Sequence, residues 1–370
     1  MSLTKIIKIN PDTPEEEYIC RAADVLAGGG LVIIPTETVY GIAANALNKK
    51  ALDKLYKIKA RPKDKPFSMI IAQRHKVEEF ARDIPMAAYK LMHKFWPGPL
   101  TIILKAVKQG KVGLRMPDNQ VALEIIAQSK VPVACPSANL AGKPAPINFA
   151  QALKDLDGLV DLAIDAGDAK LGLESTIVDL SVEPLQIARS GAIKDEEIVA
   201  AVKTKVVLFV CTGNSCRSVM AEAYLKKILE TQKRSDVEVN SAGTMMLAGL
   251  SPTEETREVL KKEEIDVSSH RSQMVSKELV NSSDIVLVME KEHEDKILQL
   301  APEAKNRLFL LKEFANPVRN NNFNLAKISN GAKINDGNLG IPDPIGRPLE
   351  FYANTFNMIK DAVERISKII

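Results

Sequence analysis

One segment in the second half of the chain holds the residue types needed for phosphoryl transfer. In the segment 210–220, Cys211 and Arg217 are separated by five residues and follow the apolar run 206–209. A buried strand that ends at Cys211, with a helix beginning near Ser218, surrounds an oxyanion with backbone N–H groups and a positive helix end. The same field favours the thiolate of Cys211, and the planar guanidinium of Arg217 can grip two phosphate oxygens. The segment therefore predicts phosphoryl transfer through a phosphocysteine intermediate.

The segment resembles the phosphate loop of the low-molecular-weight protein tyrosine phosphatases, a family that also has an Asp-Pro pair far downstream. This chain has such a pair, which begins at Asp343. The resemblance makes Cys211, Arg217 and Asp343 catalytic, with Asp343 protonating the leaving group and then activating water. In it, Asn214 and Ser218 hold the loop and stabilise the thiolate. The remaining residues assigned to the phosphate loop are Thr212, Gly213, Ser215 and Cys216.

Three substrate classes are compatible with this loop. Tyrosine-specific members carry a bulky aliphatic residue at the position of Ser215 and aromatic residues after the Asp-Pro pair, where this chain has Ile-Gly-Arg. Members that resemble protein arginine phosphatases carry threonine at that position and Thr212 after the cysteine, and a small hydroxyl there can contact a guanidinium. The sequence slightly favours phosphoarginine and leaves phosphotyrosine or an unspecific small phosphate ester open. Arsenate reduction needs further resolving cysteines, and none follows Cys216.

The sequence also predicts a role or an environment for three other residues of this half. His270 matches the family within a His-Arg-Ser sequence and is assigned to the scaffold of the loop. His293 is expected to be solvated, because it lies on a helix face rich in charged residues. Cys216 is expected to pack, with a reversible disulfide to Cys211 as the alternative.

The first half of the chain carries several short, polar, turn-prone motifs. They are PTETVYG at 35–41, KARP at 59–62, FWPGP at 95–99, RMP at 115–117, PSAN at 136–139, EST at 174–176 and RSGA at 189–192. Several follow a predicted strand, where ligand-binding groups belong in α/β folds. The stretch from Lys49 to Lys65 adds eight basic residues against two acidic ones. This excess favours an anionic ligand, with a solvated lysine-rich helix face as the alternative.

Together and in this order, the motifs resemble the threonylcarbamoyl-AMP synthase family, also called YrdC-like, over about residues 5–195. The resemblance includes two pairs typical of that family, Lys59 with Arg61 and Ser137 with Asn139. It implies the conversion of L-threonine, bicarbonate and ATP into threonylcarbamoyl-AMP and pyrophosphate. The product would supply the tRNA-modification machinery that makes threonylcarbamoyladenosine (t6A).

The resemblance gives each polar side chain a role in binding ATP. Lys59 and Arg61 would hold the triphosphate and stabilise the charge that develops on the α-phosphate. Ser137 and Asn139 would hydrogen-bond to phosphate or ribose, and Arg189 would take another phosphate. Magnesium is expected to bind together with ATP, coordinated by its phosphates. No dedicated set of carboxylate ligands is evident in the sequence, and no metal ligand is assigned.

A second group of residues is assigned to L-threonine. Arg115 would pair with the carboxylate of threonine, while Thr36 and Ser175 would position its amino and hydroxyl groups. No general base is evident, which suits a reaction in which a carbamate attacks the α-phosphate and positioning does most of the work.

An RNA-binding module without catalysis is the competing interpretation of the first half, and binding of double-stranded RNA would follow from it. Aromatic side chains that could stack on bases are scarce near the motifs, with Tyr40, Phe95 and Trp96 as the candidates. The enzyme is therefore favoured over the RNA-binding module.

The elements that must position these residues predict an α/β protein of two domains, 1–203 and 204–370. The first half mixes a helix over 15–27 with strands at 31–34, 68–72, 100–105, 131–134 and 176–180, which favours a large twisted mixed sheet. The second half alternates strands at 206–210, 237–240, 285–289 and 308–310 with helices at 219–230, 253–263, 291–299 and 349–369. Such alternation predicts a doubly wound parallel sheet that binds its ligand at the carboxyl ends of the strands. Residues 312–340 are expected to form a mobile loop and possible lid before Asp343.

Composition places the chain among ordinary globular proteins. It has 370 residues, of which 45% are hydrophobic and 26% charged, so it can bury two cores. No apolar run approaches the roughly 18 residues that span a bilayer, and no signal-peptide pattern is present, so no membrane partner is expected. Four cysteines make no disulfide framework, which favours a reducing, cytoplasmic location. The net charge of +3 does not imply general nucleic-acid binding.

Overall fold

The computed structural model describes residues 3–245, 248–315 and 339–370. The chain divides into two compact units, Met1–Val202 and Lys203–Ile370, which are called the N-terminal and C-terminal domains below. Within the described residues no helix is both long and apolar enough to cross a lipid bilayer.

The N-terminal domain is built on a mixed sheet. Its strands are β1 (Lys5–Lys8), β2 (Val32–Ile34), β3 (Gly41–Asn45), β4 (Met69–Ile70), β5 (Leu100–Lys105), β6 (Lys111–Arg115), β7 (Val133–Ala134), β8 (Leu162–Asp165), β9 (Thr176–Asp179) and β10 (Gln186–Arg189). Among the described residues these ten strands lie in the order β1-β8-β2-β3-β7-β4-β6-β5-β9-β10. The sheet contains both parallel pairs, such as β5 with β9, and antiparallel pairs, such as β5 with β6. The predicted mixed sheet is confirmed.

Helices cover this sheet because its strands are apolar on both faces. The helices are α1 (Glu16–Ala27), α2 (Lys49–Ile58), α3 (Val77–Phe80), α4 (Met86–Phe95), α5 (Gln120–Ser129), α6 (Phe149–Leu156) and α7 (Asp195–Lys203). In β2, Val32 and Ile34 enter one hydrophobic cluster, and Ile33 enters the cluster on the opposite face. Alternate side chains of a strand point to opposite faces, so a continuous apolar run requires cover on both sides.

The C-terminal domain is a doubly wound parallel sheet, as predicted. Its strands are β11 (Lys205–Cys211), β12 (Val237–Gly243), β13 (Ile285–Val288) and β14 (Leu308–Leu310). Within the described residues they lie in the order β12-β11-β13-β14, and every pair is parallel. The helices are α8 (Arg217–Thr231), α9 (Glu254–Lys261), α10 (Lys277–Asn281), α11 (Lys291–Leu300), α12 (Leu311–Phe314) and α13 (Leu349–Ile366).

Strand β11 lies in the middle of this sheet and its apolar run is buried on both faces. Val207 and Phe209 enter one cluster, and Leu208 and Val210 enter the other. The strand therefore ends at Cys211 with its direction fixed by both cores. The predicted loop over 312–340 is wrong at its start, where α12 forms because Leu311 and Phe314 are buried in the core. The rest of that expectation falls on 316–338, which lies outside the described residues.

Candidate active sites

The phosphate loop of the C-terminal domain connects the end of β11 to the start of α8. Cys211 is the last residue of β11 and is buried, and its Sγ lies 3.0 Å from the Oγ of Ser218 in the first turn of α8. Asn214 adopts a left-handed backbone conformation with φ of 51°. Its side-chain amide donates to the Oγ atoms of Ser218 at 3.0 Å and Ser241 at 2.7 Å. The loop is thus held from inside by buried hydrogen bonds, which keep its geometry fixed.

Gly243, at the end of β12, and His270 both pack against this loop. A Cβ at Gly243, the last residue of β12, would lie 2.8 Å from the carbonyl oxygen of Thr212 and 3.0 Å from the backbone nitrogen of Asn214. A side chain at this position would therefore displace the loop. The Nε2 of His270 lies 3.1 Å from the carbonyl oxygen of Asn214, which agrees with its expected place in the scaffold.

The structure brings Asp343 to the loop through Arg217. The Arg217 side chain is only 1% exposed, and its Nη2 donates to the Oδ2 of Asp343 and, at 3.1 Å, to the Oγ1 of Thr212. Its Nη1 donates to the carbonyl oxygen of Ile341 at 2.9 Å and to the Oε2 of Glu290. Two carboxylates therefore compensate a buried guanidinium, which would be costly to bury alone. Glu290 is a member of the site that the sequence argument missed.

The expectation that His293 is solvated is wrong. Its side chain is completely buried, its Nδ1 lies 3.1 Å from the backbone nitrogen of Glu290, and its Nε2 lies 2.9 Å from the Oγ1 of Thr212. Burial lowers the pKa of His293 to about 4, with a further lowering by the nearby charge of Arg217. The Glu290 side chain accepts from the backbone N–H of His293 in return, so the pair forms a capping box at the start of α11.

Ser215 and Cys216, the last two residues of the loop before α8, are buried. Ser215 is 8% exposed, and its carbonyl oxygen accepts from the backbone N–H of Thr253 at 3.2 Å. Cys216 is a free thiol that packs with its Sγ 3.6 Å from the Oγ1 of Thr253 and 3.9 Å from the hydroxyl of Tyr352. This geometry agrees with the expected packing role of Cys216.

The predicted binding residues of the N-terminal domain converge on one cavity of about 580 Å³. The predicted residues among those that line it are Thr36, Lys59, Arg61, Arg115, Ser137, Ser175 and Arg189. Most of them lie where an element ends: Lys59 follows α2, Arg115 ends β6 and Arg189 ends β10. An open α/β sheet gathers polar side chains at such ends, which explains how motifs so distant in sequence meet.

Lys59 and the Ser-Ala-Asn segment form one unit at this cavity. The Nζ of Lys59 donates to the carbonyl oxygens of Ser137 at 3.0 Å and Asn139 at 2.7 Å, and to the Oδ1 of Asn139 at 2.8 Å. Burial lowers the pKa of Lys59 to about 8; Glu174 opposes this shift and Arg61 adds to it. Asn139 is buried and is not among the cavity residues, so its placement favours holding Lys59 over direct contact with a ligand.

Arg115 is held by a buried partner that the sequence argument did not single out. Its Nη2 lies 2.7 Å from the Oε1 of Glu37 and donates to the Oγ1 of Thr38 at 2.8 Å, and its Nε donates to the carbonyl oxygen of Gly98. Glu37 is 3% exposed. The guanidinium of Arg115 is therefore held by one carboxylate and two neutral oxygens. Thr36, next to Glu37 in sequence, donates from its hydroxyl to the carbonyl oxygen of Val39 at 2.6 Å.

The remaining arginines are also held by neighbours. Arg189 donates to the carbonyl oxygen of Ser175 at 2.8 Å and to its Oγ at 3.1 Å, and it pairs with Glu174 at 2.7 Å. Arg61 donates to the carbonyl oxygen of Lys65 at 2.7 Å and lies 5.2 Å over the ring of Phe67. Neutral oxygens thus hold Lys59 and Arg61, whereas Arg115 and Arg189 each have a carboxylate partner as well.

Comparison with known proteins agrees with the division of the chain. Residues 24–191 match the Sua5, YciO and YrdC family model, described as "Telomere recombination". Residues 206–370 match the model of the low molecular weight phosphotyrosine protein phosphatases. A solved structure of Sua5 from Pyrococcus abyssi complexed with L-threonine superposes with a TM-score of 0.52 at 26% identity, covering 83% of this chain and 99% of that chain.

Curated relatives point to the same two families. The threonylcarbamoyl-AMP synthase of P. abyssi is 39% identical over 205 residues, which are 53% of this chain and 60% of that protein. A putative threonylcarbamoyl-AMP synthase of Methanocaldococcus jannaschii is 34% identical over 53% of this chain and 96% of its own length. The protein-arginine-phosphatase of Geobacillus stearothermophilus is 34% identical over 44% of this chain and 93% of its own length.

The chain belongs to the threonylcarbamoyl-AMP synthase family through its N-terminal domain and to the low-molecular-weight phosphatase family through its C-terminal domain. It spans less than two thirds of the length of the P. abyssi synthase and of a second synthase from Bacillus subtilis.

Proposed function

We propose that the chain is a bifunctional enzyme that makes threonylcarbamoyl-AMP in its N-terminal domain and removes phosphoryl groups in its C-terminal domain. The observation that carries the first activity is the convergence of the four predicted cations, Lys59, Arg61, Arg115 and Arg189, on one cavity. The observation that carries the second is the contact of Asp343 with Arg217 in the loop that holds Cys211.

In the N-terminal domain, the amino group of L-threonine would condense with bicarbonate to give a carbamate and water. A carbamate oxygen then attacks the α-phosphorus of ATP, the bond between the α- and β-phosphates breaks, and pyrophosphate leaves. Charge grows on the phosphate oxygens during this step, so fixed cations such as Lys59 and Arg61 stabilise the transition state. Arg115, fixed by Glu37, is suited to the threonine carboxylate because a guanidinium can donate two parallel hydrogen bonds.

Magnesium would accompany ATP on its phosphates. The carboxylates among the residues that line this cavity are Asp64 and Glu174, and Glu174 is already paired with Arg189. This donor set fits an ion that keeps most of its ligands from phosphate and water.

In the C-terminal domain, the thiolate of Cys211 would attack phosphorus, forming an S–P bond as the bond to the leaving group breaks. The carboxyl proton of Asp343 passes to the leaving oxygen or nitrogen. Water then gives a proton back to Asp343 as its oxygen bonds to phosphorus, the S–P bond breaks, and phosphate is released. Phosphate competes with Asp343 for the Nη2 of Arg217, so substrate binding would free the carboxyl for proton transfer.

Phosphoarginine in a protein is the favoured substrate of this second site, with phosphotyrosine as the alternative. Ser215 gives the loop a small hydroxyl where tyrosine-specific members carry a bulky aliphatic residue, and the residue after Pro344 is an exposed isoleucine in place of an aromatic wall. The similarity to the G. stearothermophilus protein-arginine-phosphatase supports the same choice.

Two assays on one preparation test the proposal. Pyrophosphate release that requires ATP, L-threonine and bicarbonate together would support the first activity, and its absence would favour an RNA-binding module. Release of phosphate from a phosphoarginine protein and from a phosphotyrosine peptide, compared by kcat/KM, tests the second. Equal or preferred hydrolysis of phosphotyrosine would overturn the arginine preference, and hydrolysis of neither would overturn the proposal of a protein phosphatase.

A further inference from the structure

His293 is a buried, ionisable residue that the reaction proposed above does not use. Its Nδ1 lies 3.1 Å from the backbone nitrogen of Glu290, which can only donate. The Nδ1 must therefore be the acceptor, and in a neutral imidazole the proton then resides on Nε2. The hydrogen-bond partner of one ring nitrogen thus decides what the other nitrogen can do.

The Nε2 proton points at a hydroxyl of the phosphate loop. The Oγ1 of Thr212 lies 2.9 Å from the Nε2 of His293 and 3.1 Å from the Nη2 of Arg217, and both nitrogens donate. A hydroxyl has two lone pairs and one proton. Both acceptor positions of Thr212 are thus occupied, and its own proton is the group that remains for a further partner. No acceptor for that proton is found among the described residues, and Thr212 is partly exposed.

We propose that Thr212 donates a hydrogen bond to a phosphoryl oxygen of the substrate and that His293 is the positioning residue that fixes the direction of this donor. The inference rests on the proposed phosphatase function of the C-terminal domain. Thr212 is then not the hydroxyl that contacts the guanidinium of phosphoarginine. A guanidinium has only donors, and it cannot pair with a hydroxyl whose two acceptor positions are occupied. Contact with a guanidinium is then left to Ser215.

The surroundings of His293 keep this arrangement constant. Its low pKa, about 4, leaves the ring neutral at ordinary working pH, so the donor to Thr212 does not change with protonation. Glu290 and Glu292 lie close enough to form a metal cluster with His293. Both ring nitrogens are engaged, however, which leaves no imidazole ligand for an ion.

Two substitutions of His293 test the roles of its two ring nitrogens separately. His293→Asn keeps an acceptor near Nδ1 for the Glu290 N–H but loses the donor to Thr212, whereas His293→Gln carries its amide farther out, toward Thr212. Binding of inorganic phosphate, measured by calorimetry, is expected to weaken about tenfold in His293→Asn and in Thr212→Val, as for the loss of one hydrogen bond. His293→Gln is expected to recover most of that loss. Asp295→Asn, an exposed charge on the same helix that is outside the cluster of Glu290, Glu292 and His293, is the control.

The double variant His293→Asn/Thr212→Val decides whether the two residues act as one unit. If His293 acts through Thr212, the double variant binds phosphate no more weakly than Thr212→Val alone. Multiplying losses, or phosphate binding by His293→Asn equal to that of the unchanged protein, would overturn the inference. The same comparison by kcat/KM on p-nitrophenyl phosphate should show the same pattern.

Turnover by the unchanged protein distinguishes failure of this inference from failure of the proposed function. Absent turnover with the expected pattern of phosphate binding would overturn the phosphatase and leave the roles of His293 and Thr212 intact. If His293→Asn does not fold, the ¹⁵N chemical shifts of His293 in the unchanged protein report the tautomer directly. A proton on Nδ1 would overturn the inference.

Discussion

The two candidate sites build their cationic centres in different ways. The C-terminal site concentrates nucleophile, loop and Arg217 in seven consecutive residues, and two carboxylates hold its arginine. The N-terminal site draws its cations from the ends of several strands and helices, and neutral carbonyl oxygens hold Lys59. A covalent intermediate needs one well-placed sulfur, whereas a three-substrate condensation needs many separate contacts. The first kind of site is therefore a contiguous motif, and the second is assembled by the topology of the sheet.

The largest effect is expected from Cys211→Ser. Loss of the covalent route should lower phosphate-ester hydrolysis by on the order of 10⁴-fold or more. Threonine-dependent pyrophosphate release, measured on the same sample, should be unchanged. Cys20→Ser, which removes a thiol from the N-terminal domain, is the matched control. Substantial residual turnover in Cys211→Ser would show that the C-terminal site does not work through this sulfur.

Asp343→Asn should come next. An amide cannot protonate the leaving group, so hydrolysis should fall by about 10²–10⁴-fold for a poor leaving group. The loss should be clearly smaller with p-nitrophenyl phosphate, whose leaving group needs little help from a proton. A loss that is equal for the two substrates would contradict the acid role of Asp343.

In the N-terminal domain, Lys59→Ala should lower threonine-dependent pyrophosphate release by about 10²–10³-fold, as expected for loss of one group that stabilises the transition state. Lys57→Ala, at an exposed position in the last turn of α2, the helix that Lys59 follows, is the control and should change little. Unchanged turnover in Lys59→Ala would remove Lys59 from the mechanism, and the contrast between a distributed and a concentrated site would rest on the arginines alone.

The smallest expected effect is a pH dependence confined to the N-terminal site. Because burial lowers the pKa of Lys59 to about 8, the side chain is cationic below that pH and neutral above it. The kcat/KM for ATP should therefore fall above about pH 8, approaching tenfold per pH unit. In Lys59→Arg the decline should disappear, because arginine stays protonated. A profile that stays level well above pH 8 in the unchanged protein would argue against a charged Lys59 in ATP binding.

The sequence predicted most reliably what depends on contiguous residues. The fold class of both domains is confirmed, and β5 and β14 have the predicted bounds because both are short segments rich in large apolar residues. Strand β3 was missed because its Gly-Ile-Ala-Ala-Asn sequence has weak strand propensity, and pairing with β2 and β7 stabilises it. Tertiary partners decide such strands, and a single sequence does not reveal them.

The errors at the sites have the same origin. His293 was expected in solvent because Glu292, Glu294 and other charged residues surround it in sequence, yet it is buried and contacts Thr212, which lies 81 residues away in the sequence. The signal that could have indicated its burial is the capping box at the start of α11, in which Glu290 is the N-cap and His293 is the third helical residue. Glu37 was quoted within its motif but given no role, because its partner Arg115 lies 78 residues farther along the chain.

The two domains meet in the sequence at residues 202 and 203, and each candidate site lies wholly within one of them. One consequence concerns gene expression. If both proposals hold, every translated copy delivers one synthase and one phosphatase, so neither promoter strength nor protein turnover can alter their ratio. Any adjustment of one activity against the other would then have to act on the finished polypeptide, through substrates or inhibitors.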